Sequence, residues 1–344
     1  MSADFSATLA VDAGWFLHQI DPAQQRALIV RVTQDELAKA AFLDERLLQT
    51  KRDGAWLPLD ALPHFHVDDS PRHYIFHIGH CGSTLLSRLL DQWPDTLGLR
   101  EPLPLRTLAL LQEQSLFPSP SLTPPRLHDL RTDVLGLLGR RFSPSQRIVI
   151  KATSSCNALV SPLLQTLPDA RMLLLWIPLE TYLATILKSA HARRDALAFA
   201  PARLAWLHWY LGSDQLKFQA SSEAETIALG WLAELARFSE LARSSRVLML
   251  NFDDFLSEPA RHLQQVAGFF QLPDDTASIE RALSSPASQR YAKATEHAYG
   301  ASDRKHDLDL SRSRFAAQIA QGLRIANALA DQHPALSELS DRFG

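Results

Sequence analysis

The stretch His77-Ile78-Gly79-His80-Cys81-Gly82-Ser83-Thr84 sets two glycines, a serine and a threonine between a short apolar run and an apolar helical pattern. Glycine lets a backbone come close to an anion, and the serine and threonine hydroxyls add donors. A strand–loop–helix of this kind ends at a helix N-terminus, where unsatisfied amides and the helix dipole favour a phosphate. The plainer alternative is a strand-to-helix turn capped by Ser83. Two sharper readings fail on counting. A Walker loop, G-x-x-x-x-G-K-[ST], needs a lysine that this loop lacks. A His-Cys-x5-Arg phosphatase loop needs arginine where Ser87 stands, and Arg88 comes one position late. Leu85 and Leu86 also fit the buried face of a helix, so the chain there has no freedom to wrap a phosphate.

The elements that must position this loop alternate along the chain. Tyr74 to Ile78 reads as a strand and Ser83 to Gln92 as the helix after it. Leu97 to Leu99 is a short strand ending at Arg100-Glu101-Pro102. Leu127 to Arg141 is helical, after the proline-rich SLFPSPSLTPPR. Arg147 to Ile150 is a strand ending at Lys151, a helix covers Asn157 to Thr166, and Arg171 to Ile177 is the next strand. Pro178 suits the first turn of a helix over Leu179 to Ala190. Helices over about 201–219 and 223–243 precede the strand Arg246 to Leu250 and an amphipathic helix from Pro259 to Phe270. Short apolar strands separated by helices call for a parallel sheet covered on its faces, with ligands at the carboxyl ends of the strands. That rule gathers His80, Glu101, Lys151 and Trp176 onto one edge. Residues 1–70 form a separate small α+β module, with a helix over Asp35 to Leu48 behind Thr33 and a proline-containing connector after it.

Composition sets the outer limits. With 344 residues, the chain holds one large α/β domain with elaborations or two small ones. A formal net charge of −3 gives no reason to expect a nucleic-acid partner, and any basic site is a local cluster. Two cysteines, Cys81 and Cys156, make no disulfide framework and fit a reducing cytoplasm, the expected compartment. The N-terminus lacks the basic and apolar regions of a signal peptide, and no apolar run approaches a membrane span. The histidines show no ligand spacing such as H-E-x-x-H, so no metal is expected.

The loop resembles the 5′-phosphosulfate loop of the sulfotransferase family, commonly written P-[KR]-S-G-[ST]-[ST]. Leu99-Arg100-Glu101-Pro102 is similar to the segment in which some members carry a glutamate base, and Ile148-Val149-Ile150-Lys151-Ala152-Thr153 to the strand whose terminal lysine faces the sulfuryl group. Val247 to Phe255 (VLMLNFDDF), then Pro259 and Val266 to Leu272 (VAGFFQL), resembles the block v-x-Y-E-D-L … P … i-x-x-F-L-G-L. The resemblance spans roughly residues 73–310. It implies an α/β fold over 71–344, a three-layer, P-loop-like parallel sheet flanked by helices. It also implies 3′-phosphoadenosine-5′-phosphosulfate (PAPS) as donor, and a small-molecule or peptide acceptor bearing a hydroxyl or amine. Gly79, His80, Cys81, Gly82, Ser83 and Thr84 would hold the donor, Lys151 and His80 would stabilise the sulfuryl charge, and Glu101 would take the acceptor's proton. The plainer alternative for Glu101 is a structural ion pair with Arg100 or Arg106.

Two departures accompany the resemblance. The family's arginine and serine for the 3′-phosphate are replaced by Trp176 and Ala184, and Glu180 adds a charge that opposes an anion in the helix's first turn. Replacement cations are sought at Lys188, Arg193 and Arg194, or at Arg290, Lys293, Arg304 and Lys305 in the basic stretch RYAKATEHAYGASDRKHD. Trp176 either stacks on adenine or belongs to the core. His80 stands where the family has Lys or Arg, and it either serves the donor or bonds to backbone. A P-loop kinase and a non-catalytic nucleotide-binding protein are the alternative readings, and the acceptor and oligomeric state are not named by any residue.

Overall fold

The computed structural model describes residues 3–65, 72–115, 123–212, 219–289 and 301–343. The strands are β1 Trp15–Asp21, β2 Arg26–Arg31, β3 Gly54–Pro58, β4 Arg72–His77, β5 Thr96–Arg100, β6 Arg147–Lys151, β7 Arg171–Trp176 and β8 Val247–Asn251. The first three form an antiparallel sheet in the order β1-β2-β3, with Trp15 opposite Arg31 and Ala27 opposite Leu57. The other five form a parallel sheet in the order β5-β6-β4-β7-β8, flanked by helices. Every residue of β4 is buried, as are all but the first of β6 and β7. Strands buried on both faces read as the continuous apolar runs seen in the sequence.

The chain divides into two compact units, one of residues 1–76, 84–173 and 260–287 and one of residues 77–83, 174–259 and 288–344. In the first unit, register fixes a single row across three strands, because Lys151 pairs with Arg100 on β5 and with Ile75 on β4. The row is continued by backbone hydrogen bonds from Glu101 to the Lys151 carbonyl (2.7 Å) and from Ala152 to the Ile75 carbonyl (3.0 Å). Arg100 is fully buried and donates from Nε to the Ala40 carbonyl (2.8 Å) and from its other nitrogens to the Ala38 carbonyl and Asp91. A buried guanidinium must have its donors satisfied, and two of its acceptors here are backbone carbonyls of the N-terminal segment.

That contact explains a difference from the sequence expectation. The helix over Asp35 to Leu48 is instead a short helix, Gln34–Lys39, and a 3₁₀ turn, Glu45–Gln49. Thr33 and Glu36 form the expected capping box. Ala40 then leaves the helical region (φ −58°, ψ 126°), Leu43 donates to the Arg100 carbonyl (2.7 Å), and Asp44 caps the 3₁₀ turn.

In the second unit the helices Ala190–Tyr210 and Glu223–Leu241 pack on each other across a buried ion pair between Arg203 and Glu234 (2.7 Å), and the buried Trp231 donates from Nε1 to the Ile177 carbonyl (2.9 Å). The stretch 301–307, expected to belong to a basic loop, lies in helix Ala301–Arg314. Its pairs Lys188–Asp307 (3.1 Å) and Arg312–Glu180 (3.1 Å) and the bond from Ser311 Oγ to the Ala184 carbonyl (2.6 Å) tie it to helix Leu179–Leu187. No helix among the described residues is long and apolar enough to cross a membrane.

Candidate functional site

The loop after β4 is shaped by backbone conformation. Gly79 (φ 93°), His80 (φ 52°) and Gly82 (φ 79°) all lie in the left-handed region, which a side chain beyond glycine enters at a cost of about 1–2 kcal/mol. Gly82 is fixed twice over, because a β-carbon there would run into the ring of Phe252. The Gly79 amide is turned to His77 Nδ1 (3.0 Å). Helix Ser83–Leu90 follows, so its first-turn amides point back into the loop by helix geometry. Thr84 is buried and its hydroxyl has no hydrogen-bond partner. A buried hydroxyl left unbonded costs about 1–3 kcal/mol.

The sides of the loop are held from within the second unit. The Tyr182 hydroxyl donates to the Ile78 carbonyl (3.3 Å), and burial pushes the Tyr182 phenol up from its ordinary pKa. Cys81 is buried with its sulfur 3.5 Å from the Leu175 carbonyl, so it faces inward and away from any nucleophilic task. The guanidinium of Arg304 pairs with Asp253 (2.7 Å) and lies 5.6 Å from the centre of the Phe252 ring, the ring that occupies the space beside Gly82. Of the replacement cations sought in the sequence, Arg304 is thus brought toward the loop. Lys293 lies outside the described residues, as does Arg290. Trp176 is buried at the end of β7, and Ala184 is buried with its carbonyl capped by Ser311.

The second cluster belongs to the first unit, at the carboxyl ends of β5 and β6. Lys151 is 1% exposed and donates to Glu101 Oε1. Lysine is almost never buried without a charge partner, and the carboxylate of Glu101 supplies it. Glu101 itself sits at φ 56° just before Pro102, a left-handed conformation that folds the carboxylate back over the neighbouring strand. Its other oxygen, Oε2, accepts from Arg106 Nη2 at 3.4 Å. The N-terminal segment adds the rest: the Phe42 ring centre lies 5.9 Å from Lys151 Nζ and 4.0 Å from the Arg46 guanidinium. Arg46 is bonded to Asp44 through Nε (2.8 Å) and Nη2 (2.5 Å).

Sequence reasoning therefore reached Glu101 and Lys151, and the ion pair it offered between Glu101 and Arg106 is present; it missed Phe42 and Arg46 as parts of the same cluster. The signal for Arg106 was its place five residues after Glu101. Nothing in residues 40–46 announces that Phe42 will lie beside Lys151. Among the described residues, no group of three or more His, Cys, Asp and Glu is placed to hold a metal ion. The polar groups of both clusters suit an anionic substrate and the movement of one proton.

No protein-family profile and no curated protein matches the chain. Among solved structures, it is similar to a sulfotransferase domain from the Synechococcus PCC 7002 olefin synthase, at 15% identity over 73% of this chain and 96% of that one, with a TM-score of 0.39. It is also similar to a sulfotransferase from Alicyclobacillus acidocaldarius, at 15% identity over 75% and 96% and a TM-score of 0.36. The same holds for mouse sulfotransferase SULT7A1 complexed with PAP, at 10% identity over 65% and 66% and a TM-score of 0.35. Overlap of this size is a likeness in outline and assigns no chemistry to this chain.

Proposed function

We propose that this protein is a sulfotransferase, moving a sulfuryl group from PAPS to a hydroxyl or amine. The observation that carries the proposal is Glu101, a strained carboxylate at a strand end bonded to the buried Lys151. Strain of this kind is kept where the surroundings over-determine it, and it collects at functional sites.

The roles follow from the chemistry of each group. The amides of Gly82 and Ser83, with the Ser83 and Thr84 hydroxyls, receive the donor's 5′-phosphate. Lys151 and His80 stabilise negative charge on the sulfuryl oxygens and on the leaving phosphate. The acceptor oxygen or nitrogen forms its bond to sulfur in line with the bridging oxygen, in the manner of phosphoryl transfer. The bond from sulfur to the bridging oxygen breaks, and its electron pair leaves on the phosphate of adenosine 3′,5′-bisphosphate. The acceptor's proton passes to Glu101, which returns it to solvent after release. Arg304 is the cation assigned to the donor's 3′-phosphate, in place of the arginine and serine of the resembled pattern, whose positions Trp176 and Ala184 hold. Engaging it there means exchanging Asp253 for the phosphate.

Thermal-shift titration tests the proposal with three ligands, because only a ligand of the folded state raises its melting temperature. Adenosine 3′,5′-bisphosphate should stabilise the protein, with a weaker response to AMP and none beyond AMP from ATP–Mg²⁺. A selective response to ATP–Mg²⁺ would favour a kinase, and no response to any of the three would favour a protein that has lost nucleotide binding.

A further inference from the structure

Glu101 is an awkward base as it stands. Each of its oxygens already faces a cation, Lys151 at Oε1 and Arg106 at Oε2. A general base needs one oxygen open toward the proton it takes, and here both are already occupied as acceptors. On the sulfuryl-transfer reading, the donor's own negative charge draws Lys151 away from Oε1. Nothing in the donor's chemistry does the same for Arg106.

Arg106 is suited to a second anion. Its side chain is 39% exposed, its bond to Glu101 is long at 3.4 Å, and its Nε has no hydrogen-bond partner. Arg46 belongs to the same cluster. Its guanidinium covers Phe42, which also neighbours Lys151, and its side chain is 52% exposed. The electrostatics tie the groups together. Burial pushes the Asp44 carboxyl up, but hydrogen bonds from Arg46 and the charges of Arg46 and Arg106 bring it below its ordinary value. Arg46 is held more firmly protonated, first by its bond to Asp44, against burial, and then by the charges of Asp44, Glu101 and Glu45.

We infer that Arg106, with Arg46 beside it, is an acceptor subsite for an anion, so that the natural acceptor carries a carboxylate or a phosphate-like group besides its hydroxyl or amine. This rests on the sulfuryl-transfer reading. Binding of that anion turns Arg106 from Glu101 and leaves Oε2 open to the acceptor's proton, so a charged acceptor assembles its own base. Arg46 and Phe42 come from the N-terminal segment, which gives that segment a part in choosing the acceptor.

Calorimetry on the full chain tests the subsite, with acetate and inorganic phosphate as probes, both small enough to enter an acceptor site. The loop is first saturated with adenosine 3′,5′-bisphosphate so that phosphate cannot report on it. At least one probe should bind in the millimolar range, the two arms telling a carboxylate acceptor from a phosphate-like one. Arg106→Gln should weaken that binding at least fivefold, Arg46→Gln about twofold to threefold, and Arg106→Lys should restore part of the loss. Failure of both probes to bind, or equal binding by Arg106→Gln, overturns the inference while leaving sulfuryl transfer standing. If the bisphosphate itself does not bind, the sulfuryl-transfer reading fails, and the inference that rests on it is overturned with it.

Discussion

The loop after β4 and the cluster at the ends of β5 and β6 are built in opposite ways. The loop depends on what is missing: side chains at Gly79 and Gly82, and a partner for the Thr84 hydroxyl. The Glu101 cluster depends on what is present, since Lys151 is buried and tolerable only because a carboxylate answers its charge. A backbone-built site recognises a feature common to many ligands, such as a phosphate. A side-chain-built site can be retuned for a particular reaction and acceptor. Substitutions should therefore separate binding, in the loop, from chemistry, in the cluster.

The largest effect is expected at Glu101. Removing one partner of a buried ion pair costs about 3–5 kcal/mol, so Glu101→Ala should lower the unfolding free energy by that order in a urea titration. Glu101→Gln keeps an acceptor for Lys151 and should cost far less stability. It should still lower turnover by about 10²–10⁴-fold, the usual contribution of a general base. Loss of bisphosphate binding in Glu101→Gln would erase the division between the two regions.

Gly82→Ala comes next, at about 3 kcal/mol, from left-handed strain and from collision with Phe252. A double-mutant cycle with Phe252→Leu divides the two causes. The coupling should exceed about 0.5 kcal/mol if the ring is the obstacle. Additive losses would assign the whole cost to the backbone.

A third prediction concerns the first unit away from either cluster. Burial, followed by the charge of Arg171, holds His73 down at about 4. Above about pH 6.5 the histidine is neutral in both folded and unfolded chains and contributes nothing. As pH falls below that value the unfolded chain gains a proton that the folded chain refuses. Stability therefore drops between about pH 6.5 and 4, by about 2 kcal/mol at pH 5. His73→Phe should flatten that limb of a stability–pH profile, and an unchanged slope would show that other groups govern it.

What the sequence made legible follows the same division. Strands β4, β6 and β7 were readable because strands buried on both faces carry continuous apolar runs, and the loop because glycines mark special backbone. Glu101 and Lys151 were found at strand ends, where a parallel sheet presents its ligands. The helix expected over 35–48 failed because the long-range bonds from Arg100 to Ala38 and Ala40 outweigh a helical pattern. Phe42 and Arg46 were illegible for the same reason, since their place beside Lys151 is set by that docking and not by their neighbours in sequence. Helix Ala301–Arg314 was hidden by its charge, because its few apolar residues give no stripe. Its anchors are Ser311 and Arg312 on helix Leu179–Leu187.

The measurement that bears most directly on the central claim is a pair of readings on Thr84→Val, a change that keeps shape and removes only the unbonded hydroxyl. If the loop is a donor site, the variant should be as stable as the parent or more stable by up to about 1 kcal/mol, since an unsatisfied buried group has been removed. Its affinity for adenosine 3′,5′-bisphosphate should at the same time fall about tenfold. A variant that loses stability while binding the bisphosphate as before would contradict the account, because the hydroxyl would then belong to the fold and not to the ligand.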